Sequence, residues 1–208
     1  MMLDLDNTLI DRDRAFRRWA ESFVSSCRGT PREVAWVVDA DRDGYEARER
    51  LADLIGQRFG VRDTAGVVED LRQGMVDRIE LDPAVPESLA RARVAGWSLV
   101  VVTNGTVNQQ ERKLRHTGLD LYVDGWVISE GLGVSKPDPQ IFSAAADLAG
   151  ASLAGSWVIG DSAAHDIAGA RAVGARSAWL SRGGMARQGA AAESRGGDFR
   201  RGGRPDPR

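Results

Sequence analysis

Trp97-Ser98-Leu99-Val100-Val101-Val102-Thr103-Asn104-Gly105 is an apolar run that stops at a hydroxyl, an amide and a glycine. A continuous apolar run with no alternation reads as a strand buried on both faces, which occurs where helices cover both sides of a parallel sheet. The same texture recurs at Trp126 to Ser129, Ser156 to Gly160 and Ser177 to Leu180. Helical patterns lie between these runs, near 86 to 95, near 107 to 116, from Pro139, and near 165 to 173. Upstream, Met1-Met2-Leu3 forms a very short apolar run before Asp4-Leu5-Asp6-Asn7-Thr8. Strands alternating with helices predict an α/β fold, a doubly wound, Rossmann-like parallel sheet.

The segment between the first run and the rest is of another kind. Phe16, Trp19, Ala20, Phe23, Val24 and Cys27 recur at helical spacing, and Thr30-Pro31-Arg32-Glu33 offers an N-cap, a proline at the first helical position and a glutamate for a capping box. Leu51, Leu54, Ile55 and Phe59 predict a third helix, and Val67, Val68, Leu71, Met75 and Ile79 a fourth. Residues 13–81 are therefore expected to be an all-helical insertion, with 1–12 and 82–182 forming the α/β core. Residues 183–208 are rich in glycine and arginine and poor in large apolar side chains, which predicts a disordered tail.

Composition narrows the function classes. The 208 residues are 42% hydrophobic and 28% charged, those of a globular chain, and the net charge of -2 gives no global field for nucleic acid or an anionic membrane. No apolar run approaches the roughly 20 residues that span a bilayer, and no basic stretch with a hydrophobic region marks a signal peptide, so a cytoplasmic location is expected. Cys27 has no internal disulfide partner and reads as a buried core thiol. Of 28 basic residues only Lys113 and Lys136 are lysine.

In doubly wound sheets ligands bind beyond the carboxyl ends of the strands. The polar residues there are Asp4 and Asp6, Thr103-Asn104-Gly105, Lys136, and Asp161 with Asp166. Carboxylates gather a hard cation, while a fixed ammonium and a hydroxyl neutralise phosphoryl oxygens, so the set suits phosphoryl transfer. Each piece alone is an ordinary turn or helix cap; their order and placement together carry the signal. A lysine adds to it, because a compact ammonium at a phosphate is something arginine does not reproduce.

Asp4-Leu5-Asp6-Asn7-Thr8-Leu9, Val102-Thr103-Asn104-Gly105, Lys136-Pro137-Asp138-Pro139 and Gly160-Asp161-Ser162 with Asp166 resemble, in order, the four motifs of the haloacid dehalogenase superfamily. The resemblance spans residues 3 to about 182, and the helical block is similar to the C1-type cap of the phosphoglycolate-phosphatase-like branch. It implies that Asp4 is a nucleophile forming an aspartyl phosphate and that Asp6 is the acid and then the base. It implies Mg2+ held by Asp4, the backbone carbonyl of Asp6 and Asp161, with Asp166 in support. Thr103, the amides of Asn104 and Gly105, and Lys136 would hold the phosphoryl oxygens of a small phosphorylated metabolite. An aspartate at position 6 favours phosphatase over dehalogenase chemistry, because a departing halide needs no proton.

Other readings are a phosphomutase of the same superfamily, a member impaired by a short first strand, and a signalling receiver, against which the paired aspartates and the insertion argue. Asp39, Asp41, Asp43, Gly44 and Tyr45 imitate the start of a calcium loop, but Arg50 stands where the closing glutamate belongs. That segment reads instead as a loop between cap helices, in reach of substrate. His165 and His116 read as having no catalytic role, and Trp19 and Trp36 as core. The Arg-Gly-Gly triplets at 182, 195 and 201 are a composition of some RNA-binding segments, diluted here by Glu193, Asp198 and Asp206.

Overall fold

The structure is a computed structural model that describes residues 1–181. Residues 182–208, and with them the expectation of a disordered tail, lie outside it. Five parallel strands, β1 (Met2–Leu3), β2 (Val100–Thr103), β3 (Gly125–Ile128), β4 (Trp157–Gly160) and β5 (Arg176–Trp179), form one sheet in the order β3-β2-β1-β4-β5. The order reverses at β1, so the crevice beyond its carboxyl end is the topological switch point, where such sheets bind ligands. Although β1 is only two residues long, Met2 and Leu3 pair with Val100 and Val101 on one side and with Val158 and Ile159 on the other. The Asp4 amide extends the ladder, donating to Ile159 O at 2.9 Å.

Side chains alternate across the sheet as the pleat requires. Met2, Val100, Val102 and Val158 pack with Ile141, Phe142 and Ala145 of α8 (Pro139–Leu148) and Ala170 of α9 (Ala168–Ala172). Leu3, Leu99 and Val101 face the other way, into the larger core with Leu114 of α6 (Val107–Thr117). Burying side chains of this size stabilises by about 1.5–3 kcal/mol each.

The helical insertion consists of α1 (Arg12–Ser26), α2 (Pro31–Asp41), α3 (Arg48–Phe59) and α4 (Thr64–Val76). Its apolar face joins the same core: Phe16, Trp19, Leu51, Ile55, Leu71 and Met75 are all buried. The predicted cap of α2 forms, with the Thr30 amide donating to Glu33 Oε2 at 2.8 Å. Two arginine contacts to one buried carboxylate lock the start of the insertion. Arg12 and Arg48 both donate to Asp41 Oδ1, at 2.7 and 2.5 Å, tying α1, α2 and α3 together. Of the acidic segment read as a loop in reach of substrate, Asp41 instead ends α2 and is buried inside the protein.

Three details differ from the sequence reading. Cys27 is half-buried, because it occupies the C-cap of α1 beyond the apolar stripe. The helix expected near 165 to 173 divides into a π turn over Ala163–Ile167 and the short α9. A one-turn helix, α7 (Ser129–Leu132), follows β3 where none was expected; α5 (Ala84–Val94) lies where the pattern placed it. No helix among the described residues is long and apolar enough to cross a membrane.

Candidate active site

Asp4 leaves the end of β1, and its carboxylate is almost wholly buried. Lys136 Nζ lies 2.6 Å from Asp4 Oδ1 and 2.7 Å from Asp166 Oδ1, so one buried ammonium joins the first motif to the fourth. The strand-end loop after β2 places Lys136: the Asn104 side chain accepts from the Lys136 amide at 2.8 Å and donates to its carbonyl at 3.1 Å. Asn104 therefore clamps the lysine backbone, a role its sequence position did not announce.

Asp166 is buried under the end of β4, with Oδ2 accepting from the Ser162 amide at 3.0 Å. Gly160 makes this possible, because a Cβ there would meet Asp166 Cγ at 2.2 Å. Carboxylate oxygens of Asp4, Asp161 and Asp166 all lie within 4.8 Å of one another. Three converging hard oxygen donors at a switch point fit a hard divalent cation such as Mg2+. Burial, with Asp166 nearby, pushes the Asp4 carboxyl up to about 6 against the pull of Lys136. Asp161 is raised for the same reasons, by burial and by Asp166. A metal would relieve that accumulated charge.

The Asp6 carboxylate stands apart from this cluster. Lys113 Nζ holds both its oxygens at 2.7 Å and Gln110 Nε2 donates to Oδ2 at 3.0 Å. Burial alone would raise Asp6, but Lys113 outweighs it and keeps the carboxyl below its usual range. Lys113 and Gln110 were missed as site residues. The scarcity of lysine was the one signal for Lys113, and it did not say where α6 would pack.

Thr103 is buried, its Oγ1 accepting from Gln110 Nε2 at 2.6 Å. The Gly105 amide donates to Ser129 Oγ at 2.9 Å, a bond that would have to be given up or shared for the amide to hold a phosphoryl oxygen. The structure thus brings Asp4, Lys136, Asp161 and Asp166 into direct contact or close range, and links Asp6 to Thr103 through Gln110. His165 has a structural position beside them: its Nδ1 lies 3.0 Å from the Tyr45 hydroxyl and 2.9 Å from Ser162 Oγ.

A family model described as haloacid dehalogenase-like hydrolase matches residues 1–174. The chain is 28% identical over 159 residues to (S)-2-haloacid dehalogenase 4A of Burkholderia cepacia, covering 72% of this chain and 68% of that one. It is 35% identical over 143 residues to the phosphoserine phosphatase of Thermus thermophilus, covering 64% of this chain but only 55% of that relative. The magnesium-bound structure of the HAD-hydrolase YfnB from Bacillus subtilis superposes with a TM-score of 0.71 at 21% identity, over 86% of this chain and 85% of that one, a likeness of fold. With the strand-end motifs in place and the family model spanning the insertion and four of the five strands, the chain belongs to the haloacid dehalogenase-like hydrolases.

Proposed function

We propose that the protein is a magnesium-dependent phosphatase that hydrolyses the phosphomonoester of a small metabolite through an aspartyl phosphate on Asp4. The observation that carries the reading is a second carboxylate, Asp6, two residues beyond Asp4 and held apart from the Asp4, Asp161 and Asp166 cluster. Its separation leaves it to move protons while the cluster gathers charge.

An oxygen of Asp4 attacks phosphorus, and the bond to the leaving oxygen breaks as that oxygen takes a proton from Asp6, which must first take one up from solvent or the incoming phosphate against the pull of Lys113. In the second half Asp6 takes a proton from water, whose oxygen attacks phosphorus and restores the Asp4 carboxylate. Lys136 neutralises charge on the transferring group, and the Thr103 hydroxyl donates to a phosphoryl oxygen. Asp4, the Asp6 carbonyl and Asp161, with Asp166 in support, would hold Mg2+, which supplies positive charge against the repulsion between carboxylate and phosphate. The helical block, residues 13–81, acts as the cap that selects the substrate.

The dehalogenase relative favours a second reading, in which Asp4 attacks carbon and displaces halide. Asp6 weighs against it, and so does the 35% identity to a phosphoserine phosphatase. Phosphate release from 4-nitrophenyl phosphate, with and without Mg2+, beside chloride release from 2-chloropropionate, separates the two. Magnesium-dependent phosphate release supports the phosphatase; metal-independent chloride release without phosphatase activity overturns it.

A further inference from the structure

Gln110 and Lys113 lie three residues apart on α6, hence on one face of the helix, and that face is buried against the ends of β1 and β2. The orientation of the Gln110 amide is fixed by chemistry. A carboxylate oxygen only accepts, so the group 3.0 Å from Asp6 Oδ2 is the nitrogen. The same nitrogen donates to Thr103 Oγ1 at 2.6 Å and approaches Asn104 O at 3.3 Å. Because Thr103 Oγ1 is an acceptor in this bond, its own hydrogen is left for another partner. Asn104 O, at 3.5 Å, is too far to hold it well.

Lys113 is equally committed. Its ammonium spans both oxygens of Asp6 at 2.7 Å and is shielded from solvent, which selects one orientation of the carboxylate plane. Gly105 is part of the arrangement: at φ +144°, a Cβ there would meet Gln110 Cδ and Cγ at 3.1 Å, displacing the amide.

We infer that Gln110 and Lys113 are positioning residues, Gln110 orienting the Thr103 hydroxyl toward the phosphoryl group and Lys113 holding the Asp6 carboxylate in the geometry for proton transfer. The inference rests on the phosphatase reading and adds a division of labour to it. Lys113 acts through Asp6, so in the first half-reaction it matters in proportion to how much the leaving oxygen needs a proton, and in the second, where Asp6 takes the proton of water, it matters equally for every ester. Gln110 acts through Thr103 as well, so it matters whatever the leaving group.

The test compares the single-turnover rate of leaving-group release, which reads the first half-reaction alone, with kcat and KM beside it, for 4-nitrophenyl phosphate, whose leaving group departs without a proton, and for glycerol 3-phosphate, whose leaving group needs one. Lys113→Met lowers the single-turnover rate on the alkyl ester about 100-fold, the scale of general acid catalysis, and on the aryl ester by less than about threefold. Lys113→Arg recovers about tenfold of the alkyl loss. Gln110→Met, close in volume, lowers kcat about tenfold on both esters with KM within about twofold. Equal losses of the single-turnover rate on both esters in a folded Lys113→Met, checked by its thermal melt, overturn the inference. If that variant does not fold, Gln110→Met decides alone, and unchanged kcat on both esters overturns it. A folded wild-type protein that releases phosphate from neither ester overturns the phosphatase reading itself, and this inference with it.

Discussion

Asp4 carries a cost that its proposed role explains. Its carboxyl is raised to about 6 from an ordinary 3.8, so between those pH values the folded protein retains a proton that the unfolded chain has released. Stability therefore falls as pH rises through that window, and above it the whole penalty is present. Replacing Asp4 by asparagine removes the buried charge while Asp166 keeps Lys136 paired. In metal-free solution at pH 7, Asp4→Asn is expected to unfold about 1–3 kcal/mol later in urea, a gain that vanishes below about pH 4. Added Mg2+ should raise the melting temperature of the wild type and narrow the gap. A wild type more stable than Asp4→Asn without metal at pH 7 contradicts this account. Gly160 is the matching steric case: Gly160→Ala drives a methyl into Asp166 and should cost more than about 2 kcal/mol, with Mg2+ binding weakened in calorimetry.

Among the elements, the insertion depends on a buried charge cluster as well as on its apolar stripe. Burial would raise the Asp41 carboxyl, but Arg12 and Arg48 hold it below the usual range. A lowered folded pKa gives stability that is present above the ordinary carboxylate value and is lost as pH falls below it. Asp41→Asn should accordingly lower stability by about 3–5 kcal/mol at pH 7, leaving two arginines facing each other, and the deficit should shrink below about pH 4. Urea midpoints across pH check both magnitude and sign.

Elements were also where the sequence was most legible. Short apolar runs marked all four longer strands, and Thr30 and Glu33 marked the start of α2, because these signals are local in the chain. The short run before Asp4 was legible mainly through what followed it. Asp4, Thr103, Lys136 and Asp161 could be collected because a parallel sheet places the residues after its strands together. Gln110 and Lys113 could not be, since their meeting with Asp6, more than 100 residues away, depends on how α6 rotates against the sheet. The Ser129 hydroxyl on the Gly105 amide was hidden for the same reason.

For the whole molecule, the relation of the insertion to the α/β core is the functional question. Tyr45, from the turn after α2, stacks on His165 with ring centroids 5.4 Å apart and bonds its Nδ1, joining the insertion to the loop that carries Asp161 and Asp166. On the other flank Gln109 of α6 donates to Arg72 O of α4 at 3.2 Å, and Arg112 to Gln73 at 2.8 Å. If the insertion selects substrate as a cap, loosening the Tyr45 joint should act on binding before chemistry. Tyr45→Ala is expected to raise KM for the best metabolite ester about tenfold, or ~1.4 kcal/mol, with kcat on 4-nitrophenyl phosphate within about twofold. A fall in kcat with KM unchanged would place Tyr45 in the chemistry instead.

The central claim is that Asp4 is the nucleophile of a metal-dependent phosphatase. Its most direct measurement is phosphate release from 4-nitrophenyl phosphate with saturating Mg2+, comparing the wild type with folded Asp4→Asn. The account predicts magnesium-dependent turnover in the wild type and a loss of at least about 1,000-fold in the variant. An Asp4→Asn protein within about tenfold of the wild type would contradict it.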